Sequence, residues 1–184
     1  MKIELKKIKH ARSLSEETNA FTAELHVNGE HVADCKNTGK GGMTDVYPKY
    51  SENKAKRERY REIVQQAEVF CKKLPKLPSE FSKDGLAMSL DFYIDLEVEK
   101  DLNKKEVQRV IKKLDKDSLK HIIILSRKNF DDFCAGKTHS LKNKALGWRK
   151  PIAEVPPALI KAQLPAIKAQ MKGDEFIYNK NLPV

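Results

Sequence analysis

Long apolar runs are missing from this chain of 184 residues: no stretch approaches the ~20 consecutive apolar residues that a membrane-spanning helix needs. Apolar residues make up 40% and charged residues 34%, enough of the first to bury a core. The start, Met1-Lys2-Ile3-Glu4-Leu5-Lys6-Lys7-Ile8, carries charge where a signal peptide needs its apolar segment, so the expected location is cytoplasmic, with no membrane partner. Cysteine is scarce as well. Cys35, Cys71 and Cys134 are odd in number, far apart and without Cys-x-x-Cys spacing, which points away from a disulfide framework or a structural zinc site and suits a reducing compartment. Nothing in the spacing sets His10, His121 or His139 beside Cys134 as the base a cysteine nucleophile needs. Internal repeats, low-complexity segments, paired carboxylates and a Ser/His/Asp order are all lacking. A non-enzymatic binding role without a cofactor or metal therefore leads.

Charge, by contrast, is abundant and uneven. Thirty-six Lys and Arg face 26 Asp and Glu, a formal net charge of +10. Residues 101–150 hold fourteen bases against six acids, which is +8 of that total. Such a concentration attracts polyanions at long range and can neutralise phosphates with release of counterions. Two readings stand: a contact surface, or a solvated lysine-rich face, since bidentate phosphate recognition favours Arg and this segment favours Lys. The candidate contact set is Lys104, Lys105, Arg109, Lys112 and Lys113, with Lys142, Lys144, Trp148, Arg149 and Lys150. Trp148 is placed either to stack on a base or to anchor the core.

Periodicity sketches an α+β domain. Residues 2–9 read as a strand. Phe21, Ala23, Leu25 and Val27 alternate with polar residues up to Asn28-Gly29, the strongest short-range hairpin signal, because a type I′ turn needs positive φ at both central positions. A two-residue loop pairs Val27 with Glu30, His26 with His31 and Leu25 with Val32. That register makes Phe21, Ala23, Leu25, Val27 and Val32 the core face and puts Glu24, His26, His31 and Cys35 together on the other. Three correctly spaced metal ligands are not evident in that set, and it reads as the polar side of a hairpin. Residues 53–74 form a long amphipathic helix with a basic start, where cations oppose the helix dipole. Residues 86–98 satisfy both a strand and a helix pattern and lean to helix. Val107, Val110, Ile111 and Leu114 stripe the next helix, with cations toward its favourable C-terminal end. His121 to Leu125 is a short buried strand, and Pro156-Pro157 opens a last helix interrupted at Pro165. Phe176-Ile177-Tyr178 closes the chain as an edge strand. The expected organisation is one α+β domain over 1–150, with a small antiparallel sheet packed by helices, and a C-terminal helix and tail over 151–184.

Residues 37–45 hold three glycines in four positions. Asn37, Gly39, Lys40, Gly41 and Gly42 form a candidate anion loop, whose N–H groups can make a nest with Lys40 adding charge. The alternative is a sharp turn out of the sheet. The segment matches neither the phosphate-loop signature nor Gly-x-Gly-x-x-Gly, and a third reading gives Asp45, at its end, or Asp34, just before it, a catalytic role.

Taken together, Phe21-Thr22-Ala23-Glu24-Leu25-His26-Val27-Asn28-Gly29, Asn37-Thr38-Gly39-Lys40-Gly41-Gly42 and Lys105-Glu106-Val107-Gln108-Arg109-Val110-Ile111-Lys112-Lys113 resemble a set of small proteins of bacteriophages and mobile elements. In these, a hairpin leads to an Asn-x-Gly-x-Gly-Gly loop, and an acidic helix leads into a Lys-Glu-Leu-x-Arg-like helix and a short apolar strand. The resemblance covers about the first two thirds of the chain and favours helix for 90–102. It carries no assigned activity. Joined to the basic surface, it makes the leading expectation a phage-type binding protein that engages nucleic acid or a host nucleoprotein complex; phage accessory proteins of this size are often stoichiometric inhibitors of host defence, anti-CRISPR or anti-restriction. Two other readings remain open: a nucleotide- or phosphate-ligand protein or enzyme using 37–45, and an interaction module for an acidic protein surface.

Overall fold

A computed structural model describes residues 1–79, 82–147 and 149–182. The architecture is mixed α+β, with a four-stranded antiparallel sheet at the N-terminus and, among the described residues, four α-helices. The chain divides into two compact units, Met1–Lys100 and Asp101–Val184.

In the first unit β1 (Ile3–His10), β2 (Phe21–Val27), β3 (Glu30–Asn37) and β4 (Asp45–Pro48) follow one another as an antiparallel meander. Asn28 and Gly29 both take positive φ, 51° and 88°, as the hairpin signal requires. Val27 pairs with Glu30 and His26 with His31, but Leu25 pairs with Ala33 rather than Val32. Val32 is an extra residue in β3, a bulge. One inserted residue reverses which side chains face inward from there on. Ala33 and Cys35 are therefore buried in the core, and Cys35 leaves the polar face on which the unbulged register had set it. β1 carries a second irregularity between Lys6 and Lys9, where Lys7 adopts φ 51°.

Helix α1 (Lys54–Cys71) begins at Asn53, whose side chain accepts from Lys56 N–H at 3.1 Å. Its basic first turns have partners: Arg59 makes two bonds to Glu30 at the hairpin, 2.6 and 3.2 Å, and Arg57 donates to the Ser51 carbonyl. Tyr60, Ala67 and Cys71 are buried, and the helix packs on β3 and β4. A two-stranded ribbon follows, β5 (Leu77–Ser79) and β6 (Ser82–Leu86), so Leu86 ends a strand. The helix begins at Leu90. Its first residue is held by Glu68 Oε2, which accepts the Leu90 N–H at 2.8 Å, and Ile94 and Val98 are fully buried. This helix, α2 (Leu90–Asp117), continues without a break through the separate helix that the stripe Val107, Val110, Ile111 and Leu114 predicts, placing 90–100 in the first unit and 101–117 in the second.

The second unit is built around β7 (His121–Ser126), flanked by β8 (Asn143–Gly147) and β9 (Glu175–Ile177), both antiparallel to it. β7 is apolar on both faces because both are covered. Ile122 and Ile124 pack with Ile152 and with Ile160 and Ile167 of α4 (Pro157–Gln170). Ile123 and Leu125 pack with Leu114 of α2, Phe130 of α3 (Arg127–Cys134) and Tyr178. α4 runs straight through Pro165 rather than stopping there. Ile160 and Ile167, buried on either side of the proline, hold both halves on the sheet and offset the lost backbone bond. No helix among the described residues is long and apolar enough to cross a membrane.

Candidate functional site

The excess charge belongs to the second unit. Asp101–Val184 contains eighteen bases against nine acids, whereas Met1–Lys100 contains eighteen against seventeen. Lys104, Lys105, Arg109, Lys112 and Lys113 are all exposed on α2. With Val107, Val110, Ile111 and Leu114 facing inward, the 100° helical step directs Lys105, Arg109, Lys112 and Lys116 outward in a single row, about one cation per 5.4 Å turn. Lys116 is the member that sequence reasoning missed, although its i, i+4 spacing from Lys112 marks it.

Two members of the row have acidic neighbours on the same helix. Arg109 forms a bidentate pair with Glu106, 2.6 and 2.8 Å, and Lys105 lies 2.6 Å from Asp101. The Glu106 carboxylate raises the Arg109 pKa further, so the guanidinium stays charged. Among the described residues, Lys104, Lys112 and Lys113 make no ion pair. Beside the row lies a cleft of about 260 Å³, with Arg109 and Lys113 on one side and His139, Leu141 and Asn143 on the other, next to the buried Leu114 and Phe133.

The other predicted contacts are distributed differently. Lys142 is exposed between two cleft residues, Leu141 and Asn143. Lys144 pairs with Ile124, so it shares the sheet face that α4 covers, while Asn143 pairs with Leu125 on the α2 face. The strand register thus separates Lys144 from the α2 row. Arg149 and Lys150 are exposed beyond β8. Trp148 lies outside the described residues.

Internal bonds hold the glycine loop in place. Asn37 is buried, and its Oδ1 accepts from Thr18 Oγ1 at 3.0 Å and Gly39 N–H at 2.9 Å. Its Nδ2 donates to the Gly42 carbonyl at 3.1 Å and to Thr44 Oγ1 at 3.0 Å. Thr44 in turn donates to Asp95 on α2, whose carboxyl is pushed up by burial although the Thr44 bond opposes the shift. The Gly39 carbonyl accepts from the N–H groups of Glu16, Glu17 and Thr18. Gly41 faces the Glu17 carboxylate, 2.1 Å from where a Cβ would stand, so one of the chain's own anions already borders this loop. Lys40 points to solvent and Asp45 accepts from Tyr47 OH at 3.0 Å. These contacts describe a turn that ties the sheet to the 11–20 connection and to α2.

On the outer face of the hairpin, Glu24, His26 and His31 come together, each with a ligand atom within 4.8 Å of the others. Lys7 Nζ is 2.7 Å from Glu24 Oε1, and the bonds from Lys7 and His26 hold the Glu24 carboxyl down at about 2. The Cys35 thiol, on the opposite side of the sheet, is pushed up to about 12 by burial. Compared with known proteins, the chain matches no family model, no curated protein and no solved structure.

Proposed function

We propose that this chain is a binding protein whose second unit contacts nucleic-acid phosphates through the exposed face of α2. The observation that carries the reading is the outward row Lys105, Arg109, Lys112 and Lys116. Like charges at i, i+3 and i, i+4 cost a helix a few tenths of a kcal/mol per pair, and a bound polyanion reverses that cost. Of the row, Lys116 lies in the last turn of the helix, where a cation suits the dipole. Lys104, Lys113 and Lys142 flank the row or the neighbouring cleft and extend the positive field. Under the resemblance to phage and mobile-element proteins, the polymer belongs to a host nucleoprotein that the chain inhibits stoichiometrically. A pull-down from host lysate with and without nuclease tests that extension.

The direct test is a salt titration of binding to duplex and single-stranded nucleic acid. Log affinity falls with log salt by about 0.9 per phosphate neutralised on duplex. Replacing Lys112 and Lys116 with Ala lowers that slope by about 1 for each phosphate no longer neutralised, without changing the fold. Binding that is absent at low salt, or a slope unchanged in the double variant, refutes the reading.

A further inference from the structure

The outer face of the first sheet gathers a different chemistry, and an inference drawn there does not rest on the polyanion reading. Glu24 and His26 lie two residues apart on β2, and His31 stands opposite His26 on β3. The two imidazoles stack, with centroids 5.1 Å apart and planes at 15°. Among the described residues, the hydrogen-bond and ion-pair neighbours of both rings are acceptors. His26 Nδ1 is 3.4 Å from the Gly29 carbonyl oxygen, and its Nε2 is 3.2 Å from Glu24 Oε2. His31 Nε2 is 3.1 Å from the Ala33 carbonyl oxygen and 3.0 Å from Asp34 Oδ1, and its Nδ1 is 3.9 Å from Glu24 Oε2.

A neutral imidazole has one N–H and one lone pair. His26 either donates its Nε2–H to Glu24 or gives its N–H to Gly29 through Nδ1; in the second tautomer, with His31 Nε2–H on Asp34 and Ala33, both lone pairs face the same carboxylate oxygen. An electron-pair acceptor between the three atoms resolves that conflict. We propose that Glu24 Oε2, His26 Nε2 and His31 Nδ1 bind a divalent transition-metal ion of the Zn²⁺ class.

The surroundings fit that assignment. Metal-bound histidines donate their second ring N–H to a carbonyl or carboxylate, which sets tautomer and orientation; Gly29 does this for His26, and Asp34 with Ala33 does it for His31. Lys7 holds the far carboxylate oxygen, Oε1, and leaves Oε2 for the ion. On β1, Glu4 stands opposite His26 but is bridged to Lys2 at 2.9 Å, and Lys6 stands opposite Glu24; the added acid is Asp34, opposite Glu24 on β3. Ligands at about 2.0–2.2 Å in tetrahedral geometry lie about 3.3 Å from one another; to bind one ion the stacked rings must also turn out of their parallel arrangement, because each lone pair lies in its own ring plane. The bulge at Val32 makes the arrangement: it keeps His31 opposite His26 while bringing Asp34, not Ala33, opposite Glu24. Three protein ligands leave a fourth position for water, the pattern of sites that do more than staple a fold.

The test uses the full chain, free of tags and stripped with a chelator, titrated calorimetrically with Zn²⁺ alone and with Mg²⁺ as counter-probe. The expected result is one equivalent of Zn²⁺ bound and no Mg²⁺, with affinity reduced about tenfold or more in His31→Gln and in Glu24→Gln and less in Asp34→Asn. Both ligand variants change part-exposed side chains, so each should remain folded, which circular dichroism checks. Imidazole NMR signals of His26 and His31 should shift on addition of Zn²⁺ while those of His10, His121 and His139 stay in place. Absence of saturable one-to-one binding overturns the proposal. So does binding that survives both variants, or shifts confined to the other histidines.

Discussion

Single residues carry unequal burdens in the 37–45 turn. Gly39 has φ +85° and a Cβ there would meet the Leu14 carbonyl oxygen at 2.2 Å, whereas a Cβ on Gly42 would meet nothing within 4 Å. Gly39→Ala should therefore lose about 2 kcal/mol or more, combining left-handed strain with a backbone clash, and Gly42→Ala should stay within about 0.5 kcal/mol. Urea denaturation of the two variants checks this; equal effects would show that the loop is not held as described. The three thiols are likewise unequal. Burial raises Cys35 to about 12 and Cys71 to about 11, while Cys134 is exposed. One cysteine should react with a thiol reagent in the native protein and three after unfolding, as mass spectrometry of the labelled chain will show.

Among the elements, α3 and β9 depend on each other through Asp174. Its Oδ2 accepts from Lys128 N–H and Ser126 Oγ, both at 2.8 Å, at the N-terminus of α3, and these bonds hold the carboxyl below its usual 3.8. A depressed folded pKa gives stability that is present above pH 3.8 and is lost as pH falls through the folded value. Asp174→Asn should lower the melting temperature at pH 7 and flatten its decline in acid. A parallel decline in both proteins would refute the linkage. Tyr178 supplies the other clamp, donating to Asp115 Oδ1 at 2.7 Å from a buried ring, and Tyr178→Phe should cost about 1–2 kcal/mol in chemical denaturation.

For the whole molecule, charge is placed rather than spread. Lys112→Glu with Lys116→Glu and Lys9→Glu with Lys40→Glu change the net charge equally, and all four lysines are exposed. If the α2 row is the contact, the first pair should lower the salt needed for elution from a heparin column well beyond the second. Equal shifts would make the charge a global property with no located surface.

The amino-acid order by itself determined the mixed class, the hairpin at Asn28-Gly29, the core strand His121 to Leu125 and the basic character of residues 101–117, because each rests on local backbone preference or short-range periodicity. The helix choice for 90–102 was legible only in part, since its alternation also fits a strand. The short strands β4, β5, β6 and β8 were not legible: Asn143-Lys144-Ala145-Leu146-Gly147 has no strand pattern of its own and is a strand because β7 offers it hydrogen bonds. Tertiary structure alone decided the bulge at Val32, which sends Cys35 inward and sets Asp34 in its place beside Glu24, His26 and His31, and the register that parts Lys144 from the α2 row. A one-residue slip in pairing reverses every side chain after it, and only the partner strand sets the pairing.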